Sequence, residues 1–201
     1  IIPLVIYAFP FIGLLFAQPD LGTAIVFCCI IAGMLFTAGL DIKLIKRAII
    51  IALVSLPIMY MMMASHQKVR IEAFLHPDDP SYEGNYQVIQ SMIAIGSGGF
   101  GGKGLYNGSQ SQNDFLPVQD SDFIFAVIGE ELGVWGMTLV IALYIVFLLR
   151  MLVIAREAKD FYGTLIVVGV MSMFAYQIIQ NIGMTVALFP VTGVTLPLIR
   201  W

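Results

Sequence analysis

Four carboxylates, Asp120, Asp122, Glu130 and Glu131, fall within PVQDSDFIFAVIGEEL, residues 117 to 132. The rest of that segment is apolar enough to enter a membrane, where a central acid costs about 2.5 to 3.5 kcal/mol on insertion scales. Acids kept at that cost need a cation, water, an interior partner or a chemical task. Asp122 opens the apolar run, where capping and the helix dipole would favour an acid with no further role. Against that, Asp120 and Ser121 crowd polar groups beside it at one membrane lip, a setting in which a carboxylate can take a proton from a substrate hydroxyl. Glu130 and Glu131 lie eight and nine residues beyond Asp122, roughly 12 to 13 Å deeper at about 1.5 Å per residue. That separation is too large for one shared proton transfer, and structural pairing inside a bundle explains the two glutamates as well as a functional role does. At about 100° per residue, Glu130 falls nearer the Asp122 face than Glu131.

Asp20 follows Pro19 and precedes LGT at the start of another apolar run. N-capping is its economical reading; the alternative is a second carboxylate facing Asp122 across an outer cavity. IGSGGFGGKG, residues 95 to 104, satisfies G-x-G-x-x-G through Gly96, Gly98 and Gly101, but nothing places it in a βαβ unit. A phosphate-loop reading fails because Ser97 replaces the first glycine and Gly104 follows Lys103. What remains is a flexible surface turn, or a backbone able to approach an oxyanion with Lys103 as a mobile charge for phosphate. Gln177, Gln180 and Asn181 share one helix face and suit hydrogen bonds between helices. His66 and His76 lack a neighbouring ligand set, and the adjacent Cys28 and Cys29 sit in an apolar run, which disfavours a metal site or disulfide.

The elements that must position these residues are helices in a bilayer. The chain is 59% hydrophobic and 11% charged, with a mean hydropathy of +0.92, which predicts an all-α polytopic membrane protein. Five apolar runs, near residues 1–17, 21–40, 48–64, 123–149 and 161–189, approach the length of about 20 residues that a spanning helix needs. The chain opens at Ile1 with no basic region before its first run, the pattern expected of an internal piece of a longer protein. Lys43, Lys46 and Arg47 in one loop, and Arg150, Arg156 and Lys159 in another, mark the cytoplasmic side. The segment 65–121 then falls outside as a large structured cap, too long for a simple connection. With a net charge of -3 and no dense basic block, nucleic acid is not an expected partner.

AQPDLGTAI (17–25), YQVIQSMIAIGSGGFGGKG (86–104), GSQSQNDFLPVQDSDFIFAVIGEELG (108–133), NIGM (181–184) and FPVTGVTLPLI (189–199) together resemble the SEDS family of peptidoglycan glycosyltransferases. GSQSQNDFLP is more similar to the elongation-machinery member than to the division member. The resemblance implies a ten-helix enzyme of the bacterial cytoplasmic membrane, with its active site on the extracytoplasmic side. The five runs would correspond to its fifth to ninth helices. It also implies polymerisation of lipid II into glycan strands, together with a class B penicillin-binding protein of the elongation machinery. Asp122 matches the family's catalytic aspartate, the general base in an inverting displacement of lipid diphosphate, and Asp20 matches its second important acid. Lys103, Gln110, Gln112 and Asp120 are then expected near substrate or metal, with Mg²⁺ or Mn²⁺ at Asp20 and Asp122 as the one cofactor considered. The chain departs from the family where Asp120 and Ser121 replace His-Thr, and where Arg200 and Trp201 replace Ser-Tyr. The rival readings are a flippase for lipid-linked precursors and a non-catalytic membrane scaffold. An acid at the lip favours the enzyme, because a transporter's key acids belong near the midplane.

Overall fold

A computed structural model describes residues 21–41, 65–76, 82–112 and 121–199, with isolated positions between 43 and 54. Among them the fold is all-α: α1 (Leu21–Thr37), α2 (Ser65–Leu75), α3 (Glu83–Gly98), the single turn α4 (Ser109–Gln112), α5 (Ile124–Glu157) and α6 (Phe161–Thr185). The expected runs at 1–17 and 48–64 lie outside the described residues, apart from isolated positions. α1 packs on α6, α6 on α5, and α5 on α3. The 65–121 segment thus contributes helices of its own.

The helix ends differ from the expected ones for local reasons. α1 stops at Thr37 because the chain turns through Gly39 at φ +79°, where Gly39 and Leu40 N–H groups return to the carbonyls of Phe36 and Leu35. Such a left-handed residue is the usual way to end a helix. α5 continues past residue 149 to Glu157, so Arg150 and Arg156 decorate its last turns and only residues 158–160 separate it from α6. α6 ends at Thr185 rather than 189, and residues 186–199 form a non-helical strap that folds back over the bundle. Tyr144 Oη donates to the carbonyl of Pro197, fastening that strap to α5.

α5 and α6 are the two described helices long and apolar enough to cross a membrane. At 34 residues α5 would measure about 51 Å if continuous, well beyond a hydrocarbon core of about 30 Å. It is not continuous. Gly133 adopts φ +66°, ψ −160°, dividing it into a short first piece and a piece from Val134 to Glu157, whose 24 residues span about 36 Å. Leu139, Leu143, Val146 and Leu149 on that second piece are exposed, as a lipid-facing span requires.

A helix break strands carbonyls before it and N–H groups after it. The glycine-rich segment after α3 supplies partners: Lys103 N and Gly104 N donate to the carbonyls of Glu130 and Glu131, both at 3.0 Å, and Val134 N donates to Gly99 O at 3.0 Å. This splice is tight. A Cβ at Gly133 would stand 2.4 Å from Gly102 N and 2.7 Å from Phe100 O, both backbone atoms that cannot swing aside. Gly133→Ala is therefore expected to cost at least about 1–3 kcal/mol from the glycine-only backbone conformation alone. The check is thermal unfolding and limited proteolysis of residues 99–112; unchanged stability and unchanged cleavage would contradict the splice.

The core follows from this packing. Ile124, Phe125, Tyr144, Ile178 and Leu196 form one buried cluster joining α5, α6 and the strap. Ala94, Phe123 and Ala126 form another between α3 and α5. Both clusters include the first residues of α5 or the one just before them, which makes that end of the helix a fixed point.

Candidate active site

Asp122 immediately precedes this fixed point. Phe123, Ile124, Phe125 and Ala126 are at most 3% exposed, so the backbone behind Asp122 is clamped while its own side chain is only half-buried. The capping role open to Asp122 is not used: Phe123 holds the N-cap position, with no side-chain cap hydrogen bond. Instead Ser121 Oγ donates to Asp122 Oδ1 at 3.0 Å. One carboxylate oxygen is thus oriented by its neighbour.

The strap forms the opposite wall. Gln180 Nε2 donates to Pro190 O at 3.0 Å, Leu188 N to Gly183 O at 2.8 Å, and Asn181 Nδ2 to Val194 O at 2.8 Å. Asn181 Nδ2 also donates to Asp122 O at 2.9 Å. Gly193, at φ +71°, sits so close that a Cβ there would be 3.9 Å from Asp122 Oδ2. The start of α1 reaches the same strap, since a Cβ at Gly22 would lie 2.8 Å from both Thr192 O and Val194 Cγ2. The start of α5, the strap and, through Asn181, α6 therefore meet around Asp122, and the first turn of α1 packs against the same strap. Asp20 and Asp120 lie outside the described residues.

A second cluster surrounds Glu130, which is 0% exposed. Its Oε1 accepts from Lys103 Nζ at 2.7 Å, Gln110 N at 3.0 Å, Ser109 Oγ at 3.3 Å and Ser97 Oγ at 3.4 Å. Lys103 Nζ also donates to Ser109 Oγ at 2.7 Å. A buried carboxylate demands this kind of compensation. Lys103, expected as a mobile charge for phosphate, bonds to Glu130, and of the N–H groups expected to meet an oxyanion, those of Lys103 and Gly104 go to the helix break and that of Gly102 to Gly98 O. Glu130 and Glu131 do not form a buried acidic pair: Glu131 is half-buried, and its Oε1 accepts from Tyr106 N at 3.1 Å. Glu130 thus pairs with Lys103 of the loop and with residues of α3 and α4, and Glu131 with the loop alone. Gln110 belongs to this second cluster through its backbone, while Gln112 closes α4 and its side chain lies outside the described residues.

Among the described residues, no three His, Cys, Asp or Glu side chains come together as a metal's ligands. Described carboxylates alone thus make no donor set for Mg²⁺ or Mn²⁺, and no step below is routed through a metal.

An all-α membrane bundle with an oriented, half-buried acid where the start of one helix meets a second helix and a strap defines the class. The particular family follows from comparison: residues 1–200 match the FtsW/RodA/SpoVE family, described as "Cell cycle protein", and the chain belongs to it. It is 41% identical to the peptidoglycan glycosyltransferase MrdB of Escherichia coli K12 over 92% of its length and 50% of that protein. It is 43% identical to the peptidoglycan glycosyltransferase RodA of Treponema pallidum over 68% of its length and 31% of that protein. A solved structure described as "Structural coordination of polymerization and crosslinking by a peptidoglycan synthase complex" superposes with a TM-score of 0.76 at 26% identity, covering 95% of this chain and 52% of that one. The chain spans about half the length of MrdB and of the matched solved chain.

Proposed function

We propose that this chain carries the catalytic centre of a peptidoglycan glycosyltransferase that polymerises lipid II during cell elongation, in the bacterial cytoplasmic membrane with its site on the outer side. The observation that carries this reading is Asp122: a carboxylate with a clamped backbone, one oxygen oriented by Ser121, and a half-open side toward the strap. The names of the relatives supply the reaction.

In the proposed step, a carboxylate oxygen of Asp122 accepts the proton of an acceptor sugar hydroxyl as the hydroxyl oxygen attacks the anomeric carbon of a lipid-diphosphate donor. The new carbon–oxygen bond forms as the bond from the anomeric carbon to the diphosphate oxygen breaks, and the leaving group departs with the electron pair. An α-linked donor then gives a β-linked product by a single inversion, which needs one base and no covalent intermediate. With Lys103 held by Glu130, charge for the departing diphosphate is left to Arg70 and to cationic groups elsewhere in the full-length protein. The partner proposed is a class B penicillin-binding protein, in keeping with a solved relative from a complex that couples polymerisation to crosslinking.

The deciding experiment places the full-length protein and that partner in vesicles with fluorescent lipid II. Glycan strands appear if the reading is right. Lipid II that crosses the bilayer without polymerising would instead establish a flippase, and neither outcome alongside intact partner binding would leave a scaffold.

A further inference from the structure

We infer that Asn181 is a positioning residue for Asp122, acting as a two-pronged brace that fixes the carboxylate against the strap; this rests on Asp122 being the base. Asn181 is completely buried in the last third of α6, where its spacing with Gln177 and Gln180 suggested only a bond between helices. Its side chain makes no such bond. Both hydrogens of Nδ2 go to main-chain carbonyls of two other segments, Asp122 O at 2.9 Å and Val194 O at 2.8 Å. One planar amide thus sets the separation between the acid's backbone and the strap one residue beyond Gly193, which faces Asp122 Oδ2.

The other end of the amide points to the same role. Among the described residues, buried Asn181 Oδ1 has no hydrogen-bond partner, a state that costs free energy. Turning the amide over would aim an acceptor at two carbonyls, so the assignment of nitrogen and oxygen is forced by its surroundings. An apolar residue of similar size would remove the orphan oxygen but leave both carbonyls without a donor. What the position needs is the pair of N–H bonds, and those bonds hold Asp122. Misplacing a reacting group by about 1 Å can cost a hundredfold in rate.

The test compares Asn181→Asp and Asn181→Leu with Ser91→Ala in the full-length protein, with the class B penicillin-binding protein and purified lipid II. Ser91 is an equally buried residue whose Oγ donates to Val88 O at 2.9 Å and Thr185 O at 2.7 Å, so its loss removes buried hydrogen bonding that does not involve Asp122 or the strap. Per folded protein, both Asn181 variants should lose about 10- to 100-fold in kcat with KM within about threefold, while Ser91→Ala lowers thermal stability and keeps kcat within about twofold. An unchanged kcat in folded Asn181→Leu, or an equal kcat loss in Ser91→Ala, would overturn the inference. Asn181→Leu keeps the result decisive if Asn181→Asp fails to fold. An active Asp122→Asn would remove the base assignment itself, a different failure from an inactive Asp122→Asn with fully active Asn181 variants.

Discussion

Asp122→Asn in the full-length protein lowers lipid II polymerisation by about 10²- to 10⁴-fold, the range that a positioned general base contributes, with substrate binding kept within a few-fold. Asparagine has the shape of aspartate, and its Oδ1 can still accept from Ser121 Oγ, which now lies 3.0 Å from Asp122 Oδ1. The backbone bond from Asn181 does not involve the side chain at all. The substitution therefore removes proton acceptance and little else, so the loss should appear in kcat rather than in KM. Folding should be unaffected, because the buried residues Phe123 to Ala126 that fix the local backbone are untouched. A variant that polymerises within tenfold of the wild-type rate would sink the base assignment. One that fails to bind lipid II would make Asp122 a substrate ligand instead.

What was legible in the sequence followed from composition and spacing, and what was not depended on the backbone. Apolar runs and basic clusters were enough to expect an all-α membrane protein, and the acid at the head of the 123–149 run stood out because a membrane lip is a costly place for a carboxylate. The helix runs past residue 149 because Arg150 and Arg156, residue types that equally suit a cytoplasmic loop, sit comfortably as long basic side chains on its last turns. The break at Gly133 was invisible, since one glycine inside a long apolar run reads as ordinary. Its consequence was larger than the break itself. It gave IGSGGFGGKG a structural use that no glycine motif encodes, and it set Lys103 against Glu130 as its counter-charge. Asn181 was found on the expected polar face of α6, but its two partners are main-chain carbonyls, which carry no signature in side-chain patterns. Asp20 and Asp120 fall outside the described residues, so their part in the site rests on sequence alone.

Lys103→Met destabilises the protein by about 3 kcal/mol or more, because removing one partner of a buried ion pair strands the other. Glu130 is 0% exposed and Lys103 28% exposed, with 2.7 Å between Nζ and Oε1. The lysine is close enough to water to recover hydration when its partner is lost; the glutamate is not. Glu130→Gln should accordingly cost less than Lys103→Met, since a neutral amide oxygen can still accept from Gln110 N and Ser109 Oγ. The double variant should be more stable than Lys103→Met alone, a non-additivity that only a direct coupling between the two sites produces. Thermal unfolding of the four proteins in one detergent measures it, and simple additivity would show the pair to be incidental. The pair also ties the segment leading toward Asp122 to the short first piece of α5, because Oε1 gathers Lys103, Ser109 and Gln110 onto one atom. Proteolysis of residues 104–112 should therefore speed up in Lys103→Met before global unfolding sets in. If cleavage rises only in step with global unfolding, the pair stabilises the fold as a whole and has no special hold on that segment.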